Sequence, residues 1–206
     1  MGKAVSFPAI YPQPRCYPET PIVMRIAVLS DIHDNVWRLA SALEALRGAD
    51  AMICCGDLCS PFIVHQLGRG FRGPIHIVFG NNDGDLYRIA NNARRYEQIQ
   101  IHGEFFRGEF EGCRVAANHY DNIGRAIAAS GEFEVVCYGH NHVYEIAHVG
   151  PTLAINPGAI MGATFAPDGM RTDVASTFVV YDTASGQATG FEVARAGEVQ
   201  ALSTAH

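Results

Sequence analysis

Seven side chains of metal-binding type, Asp31, His33, Asp57, Asn81, His119, His140 and His142, each follow closely on a short apolar run. Their donor groups are imidazole, carboxylate and amide, with no thiolate. That set suits a divalent ion of octahedral or near-octahedral preference, such as Mn, Fe, Co or Ni, better than a closed structural zinc site. In Gly139-His140-Asn141-His142 two imidazoles stand one residue apart. In an extended chain they diverge and can reach two points of one site, and Gly139 before them permits a sharp turn. One such pair carries little weight by itself. Seven residues gathered at strand ends carry much more.

The elements that position them follow from hydrophobic patterning. Residues 25–30, 51–55 and 75–79 are continuous apolar runs of strand length, ending in Asp31-Ile32-His33, Gly56-Asp57 and Gly80-Asn81-Asn82-Asp83. Between the first two, Val36, Leu39, Ala40, Leu43 and Leu46 recur with helical period behind Asn35, which predicts a capped helix over 36–47. Strand, polar loop, helix, strand is the rhythm of a parallel α/β sheet, in which ligands bind beyond the carboxyl ends of the strands. The pattern then changes. Residues 97–101 and 105–110 alternate apolar with polar, as antiparallel strands do. Strand 113–117 leads into His119, a helix over 123–129 follows, and strand 134–138 leads into His140. Further strands are predicted at 143–149, 152–155, 176–181 and 189–193. The fold class is α/β (α+β): two packed mixed β-sheets forming a sandwich flanked by helices.

At 206 residues the chain fits one domain with a sizeable core. Residues 1–24 stand apart. Pro8, Pro12, Pro14, Pro18 and Pro21 preclude helix, and the segment reads as a proline-rich extension before a domain spanning 25–206. A formal net charge of −6 argues against stable nucleic-acid binding, which favours basic surfaces. No apolar run approaches the roughly 20 residues of a membrane span. The six cysteines form no C-x-x-C pair and read as small hydrophobes in a reducing compartment. With no basic-then-apolar leader at the start, the expected location is cytoplasmic. Apolar residues of the second half leave room for a homo-oligomer.

Asp-x-His, Gly-Asp, Gly-Asn-x-Asp, a lone His after a strand and Gly-His-x-His, in that order, resemble the calcineurin-like metallophosphoesterase superfamily. The short chain, and Ser60 where larger members carry a further Asp, make it similar to the small bacterial and archaeal phosphodiesterase branch. The retromer scaffold subunit of eukaryotes is related to that branch. The resemblance implies two divalent metal ions, manganese first, with Fe, Ni, Co or Zn as alternatives. It places Asp31, His33 and His142 on one ion, Asn81, His119 and His140 on the other, and Asp57 between them. It implies a phosphodiesterase that hydrolyses a small or nucleotide-like phosphodiester by attack of a metal-bridging hydroxide. A non-catalytic scaffold or a phosphomonoesterase are the alternatives.

Asn82 and Asp83 complete the catalytic expectation. In the phosphoprotein phosphatase branch a histidine occupies the place of Asn82 and protonates the leaving oxygen. Asn82 can hydrogen-bond a phosphate oxygen but supplies no proton, so activated or strained diesters are the expected substrates. Asp83 is read as orienting a ligand or capping the next helix. Asp121 is read either as a partner of an imidazole or as a helix cap, and the turn at Asn156 as structural.

Overall fold

The computed structural model describes residues 23–202, so nearly all of the proline-rich segment lies outside the described residues. β1 (Arg25–Leu29) pairs in parallel with β2 (Ala51–Cys54), β2 with β3 (Ile75–Ile77), and β3 with β4 (Ile99–Ile101). On the other side of β1 the sheet continues antiparallel through β12 (Thr177–Asp182), β13 (Gln187–Val193) and β14 (Val199–Ala201). The second sheet has the order β5 (Phe105–Phe110), β6 (Cys113–Asn118), β7 (Val135–Cys137), β9 (Thr152–Pro157), β8 (Tyr144–Val149). A separate two-stranded ribbon, β10 (Ala163–Phe165) with β11 (Arg171–Asp173), belongs to neither.

The alternation along β1 explains the layering. Ile26 and Val28 face the second sheet and pack with Val115, Val135, Ile155 and Val179. Ala27 and Leu29 face the other way, against Leu39 and Leu43 of α1 (Val36–Ala45) and Ile63 and Leu67 of α2 (Ile63–Gly70). A strand covered on both faces must be apolar throughout, which is why β1 and β2 show no polar alternation. α3 (Leu86–Ala93) joins α1 and α2 through buried Ile89, while α4 (Asp121–Ala129) covers the far side of the second sheet through Ala128 against Tyr138 and Val136. The result is helix, sheet, sheet, helix.

Three expectations change. The alternation over 97–101 marks an edge strand with one half-exposed face, and β4 runs parallel to β3 rather than antiparallel. β3 stops at Ile77 because the Phe79 N–H turns away to the Gly103 carbonyl. α4 begins at Asp121, two residues before the apolar periodicity does. Helix α2 and the ribbon were not anticipated from the sequence.

Candidate metal centre

All five loops come off the same end of the two sheets. Beyond β1 and β2 the backbones stay tied: the Asp31 N–H donates to the Gly56 carbonyl at 3.1 Å and the His33 N–H to the Asp57 carbonyl at 3.0 Å. These loops are held in conformations that L-residues rarely take. Asp31, His33, Asp34, Asp57, Cys59, His140 and His142 all have positive φ, between 43° and 73°. Each such residue costs on the order of 1 kcal/mol, and a run of them persists where the surrounding structure fixes them.

Their side chains converge. His33 Nε2 lies 3.7 Å from Asp31 Oδ1 and 3.3 Å from Asp57 Oδ2. His142 Nε2 is 3.3 Å from Asp31 Oδ1, and His119 Nε2 is 3.5 Å from Asp57 Oδ2. His119 Nε2 and His140 Nδ1 each lie 2.9 Å from Asn81 Oδ1. Ligand atoms about 2.1 Å from one ion, roughly a right angle or a little more apart, are separated by about this much. Two imidazoles are also fixed in tautomer. His119 Nδ1–H donates to the Cys55 carbonyl at 2.7 Å and His142 Nδ1–H to the Ala163 carbonyl at 2.6 Å. Each therefore turns a bare Nε2 inward, as a metal ligand does.

The donor set fits cations. Asp31 is fully buried, and its Oδ1 has no hydrogen-bond partner; neither does His33 Nε2. Orphaned acceptors facing one another in a buried site are stabilised by a positive charge between them. Without an ion, protons take that place. Burial opposes charge on Asp31, yet His142 and His33 outweigh it and hold the carboxyl well below the usual range. Burial likewise opposes charge on His33, but the Asp31 and Asp57 carboxylates beside it push its pKa up to about 11. Asp57 is lowered in spite of its burial, by His33 and by the Asn82 amide. Two groups of possible ligand atoms stand out, Asp31 with His33 and His142, and Asp31 with Asp57 and His119. Asp31 reaches both groups. Its Oδ1 nevertheless faces His33 and His142, whereas Asp57 Oδ2 sits between His33 and His119.

The remaining candidates hold the scaffold. Asn82 donates from its backbone N–H to Asp57 Oδ1 and from its amide to Asp57 Oδ2, each at 2.8 Å, so it clamps the Asp57 carboxylate from the solvent side. Asp83 accepts the N–H groups of Asp57 (3.1 Å), Cys59 (2.9 Å) and Gly80 (2.8 Å), which ties the second and third loops together. The cap of α3 is Asp85, not Asp83. Replacing Asp83 by Ala strands three N–H donors at once. We expect a loss of about 3 kcal/mol by chemical denaturation and a fall of roughly 10- to 100-fold in metal affinity. A loss below about 1 kcal/mol would contradict this role.

Asp121 lies in the first turn of α4 and accepts from the Asn141 amide at 3.3 Å. Asn156 donates to Asn141 Oδ1 at 2.8 Å, so the two asparagines lock the loop that carries His140 and His142. Sequence reasoning missed Asn141 in this role, although its place between two ligand-type histidines was the signal. It also missed Tyr120, whose ring packs edge-on against both His119 and His140. His65, His76 and His102 find partners elsewhere, His65 with the Tyr96 hydroxyl and His76 with His102. A cavity of about 1050 Å³ between α1 and α2, lined by Leu43, Phe62 and Phe71 among others, contains none of the seven ligand-type residues.

Comparison with known proteins gives the family and the fold. The profile of the calcineurin-like phosphoesterase superfamily domain matches residues 24–186. The phosphodiesterase MJ0936 of Methanocaldococcus jannaschii is 27% identical over 143 residues, covering 68% of this chain and 86% of that protein. The solved structure of a novel archaeal phosphodiesterase superposes with a TM-score of 0.70 at 24% identity, over 87% of this chain and 100% of the other. Vacuolar protein sorting 29 from Cryptosporidium parvum superposes with a TM-score of 0.64 at 15% identity, over 87% and 96%.

Proposed function

The chain belongs to the calcineurin-like phosphoesterase superfamily, and on that premise we propose that it is a phosphodiesterase dependent on two divalent metal ions. One observation carries the reading: the buried, unpartnered Asp31 Oδ1 and His33 Nε2 face one another inside a ring of five further ligand-type groups. Likeness to a phosphodiesterase from Methanocaldococcus jannaschii supports the same reaction class. Asp31, His33 and His142 would hold one ion, Asn81, His119 and His140 the other, and Asp57 both. Such ions, when bound, polarise a phosphoryl oxygen and lower the pKa of water.

The chain's own residues do the rest. Asn82 keeps Asp57 oriented, the Cys55 and Ala163 carbonyls keep His119 and His142 in the ligating tautomer, and Asp83 keeps two loops in register. A carboxamide at position 82 brings no proton to a leaving alkoxide, so small, activated or nucleotide-like diesters are the proposed substrates and monoesters the poorer ones. A scaffold without turnover is the weaker reading, because all seven ligand positions are filled with competent donors.

Hydrolysis of bis(p-nitrophenyl) phosphate should appear with Mn²⁺ or Ni²⁺ and vanish with chelator. Absence of hydrolysis with any of several ions at full occupancy would sink the enzyme reading. Metal affinity should also rise with pH. His33 in the metal-free chain keeps its proton from its ordinary 6.5 up to about 11. An ion must displace that proton, so affinity should rise about tenfold per pH unit between pH 7 and 9 for each proton released. The same proton stabilises the metal-free fold. That contribution is complete below about pH 6.5 and is lost as the pH climbs towards about 11. Calorimetry in buffers of different ionisation enthalpy counts the protons, and a count of zero would contradict the scheme.

A further inference from the structure

The exposed large apolar side chains among the described residues are not scattered. Several stand in the first turn of a helix, beside His142 or on the ribbon, at the end of the molecule that carries the ligand cluster. Trp37 is the second residue of α1 and is 80% exposed; Tyr87 stands in the first turn of α3 and is 77% exposed. Ile123 is in the first turn of α4, and Val143 directly follows His142. Phe165 and Met170 project from the two-stranded ribbon, 53% and 66% exposed. The ribbon springs from Ala163, whose carbonyl accepts the His142 Nδ1–H. Isolated exposed hydrophobes need no explanation, but a set confined to one end around a polar centre marks a binding surface.

We propose that, of the diesters this centre accepts, those with a hydrocarbon chain as one ester group are preferred, and that this rim, with Phe165 and Met170 as specificity-determining residues, receives the chain. The proposal rests on the phosphoesterase reading of the same centre. Position argues for the occupant. Part of the rim adjoins the ligand loops: Val143 directly follows His142, and the amide of Asn35, two residues before Trp37, donates to the Met161 carbonyl beside the ribbon, so a chain attached to the phosphate leads onto it. A protein or a second copy of this chain seated there would close the site to substrate. A chain of methylenes leaving the phosphate has the right chemistry, and tryptophan, tyrosine and phenylalanine are suited to a hydrocarbon–water boundary.

Trp37 is the one tryptophan of the sequence and stands on the rim, so its fluorescence reports cover there whether or not the protein turns over substrate. Monomeric decyl phosphate, added to the Mn²⁺-loaded protein below its micelle concentration, should shift Trp37 emission to the blue, and methyl phosphate should not. No shift with decyl phosphate overturns the proposal. So does emission that is already blue-shifted in a protein that sediments as a dimer, because a second copy then covers the rim. Among p-nitrophenyl alkyl phosphodiesters, kcat/KM should rise about tenfold from methyl to decyl, as shielding roughly two methylenes would give. In Phe165→Ser/Met170→Ser that ratio should fall towards one, whereas an equal loss for both esters overturns the assignment of those residues. A decyl-specific shift without hydrolysis of any ester rejects the enzyme reading alone and leaves hydrocarbon binding by the rim established.

Discussion

Asp57→Asn is expected to empty both halves of the centre. The carboxylate is engaged on every side: Oδ1 accepts the Asn82 N–H, and Oδ2 accepts the Asn82 amide while facing His33 and His119. An asparagine of the same shape keeps one acceptor and gains an NH2. If that NH2 takes the place of Oδ2, it meets the Asn82 amide donor and turns its protons on the Nε2 atoms of His33 and His119. If it takes the place of Oδ1, it meets the Asn82 backbone N–H. In either orientation a nitrogen replaces a carboxylate oxygen, and the negative charge that faces His33 and His119 is gone. Metal content after gel filtration should fall from two ions per chain towards none, and diester hydrolysis by about three orders of magnitude. Retention of one ion at full occupancy would show that Asp57 serves one side alone and does not bridge. Asn82→Ala is the milder counterpart, since it removes the amide half of the clamp but leaves the backbone N–H and the Asp57 carboxylate.

Much of the centre was legible in the sequence because a parallel strand fixes where its next residue goes. Once 25–30 and 51–55 read as strands, Asp31 and Asp57 had to emerge side by side, as Asp31 N–H to Gly56 carbonyl shows them doing. The supports were less legible because their partners are remote in sequence or belong to backbone. Asp83 looks like a helix cap by position, and nothing in Gly-Asn-Asn-Asp announces that its carboxylate is filled by N–H groups of residues 57, 59 and 80. The direction of β4 was misread for a related reason. Alternation reports exposure of one face, and an edge strand of a parallel sheet has that exposure too. The ribbon β10–β11 escaped notice because its pattern is exposed throughout β11 and no buried stripe marks it. Positive φ at His140 and His142 was equally hidden, since the sequence offered Gly139 as the natural place for an unusual backbone.

Gly139→Ala therefore should do its damage by a different route from the one its turn position suggests. Gly139 is not among the positive-φ glycines; the left-handed residues are its neighbours at 140 and 142. What forbids a side chain is space. A Cβ there would collide with the Ser30 hydroxyl, lie 2.8 Å from Ser30 Cβ and 2.5 Å from Asp31 Oδ2. Neither wall can retreat cheaply. Ser30 is buried and donates to the Cys55 carbonyl at 3.3 Å, and Asp31 Oδ2 already accepts the His140 N–H at 3.0 Å. The loop must move outward instead, and it carries His140 and His142 away from Asp31 and Asn81. Overpacking of this kind costs about 1–3 kcal/mol, which lowers Tm by roughly 3–10 °C in a domain of this size. The displacement should cost more in function than in stability, about two orders of magnitude in kcat/KM for a shift near 1 Å. Ser30→Ala in the same chain removes the hydroxyl but leaves Asp31, so it should restore part of the stability and little of the activity. If Gly139→Ala alone kept full activity and full metal occupancy, the close approach of Gly139 to Ser30 and Asp31 would not be what sets the two histidines.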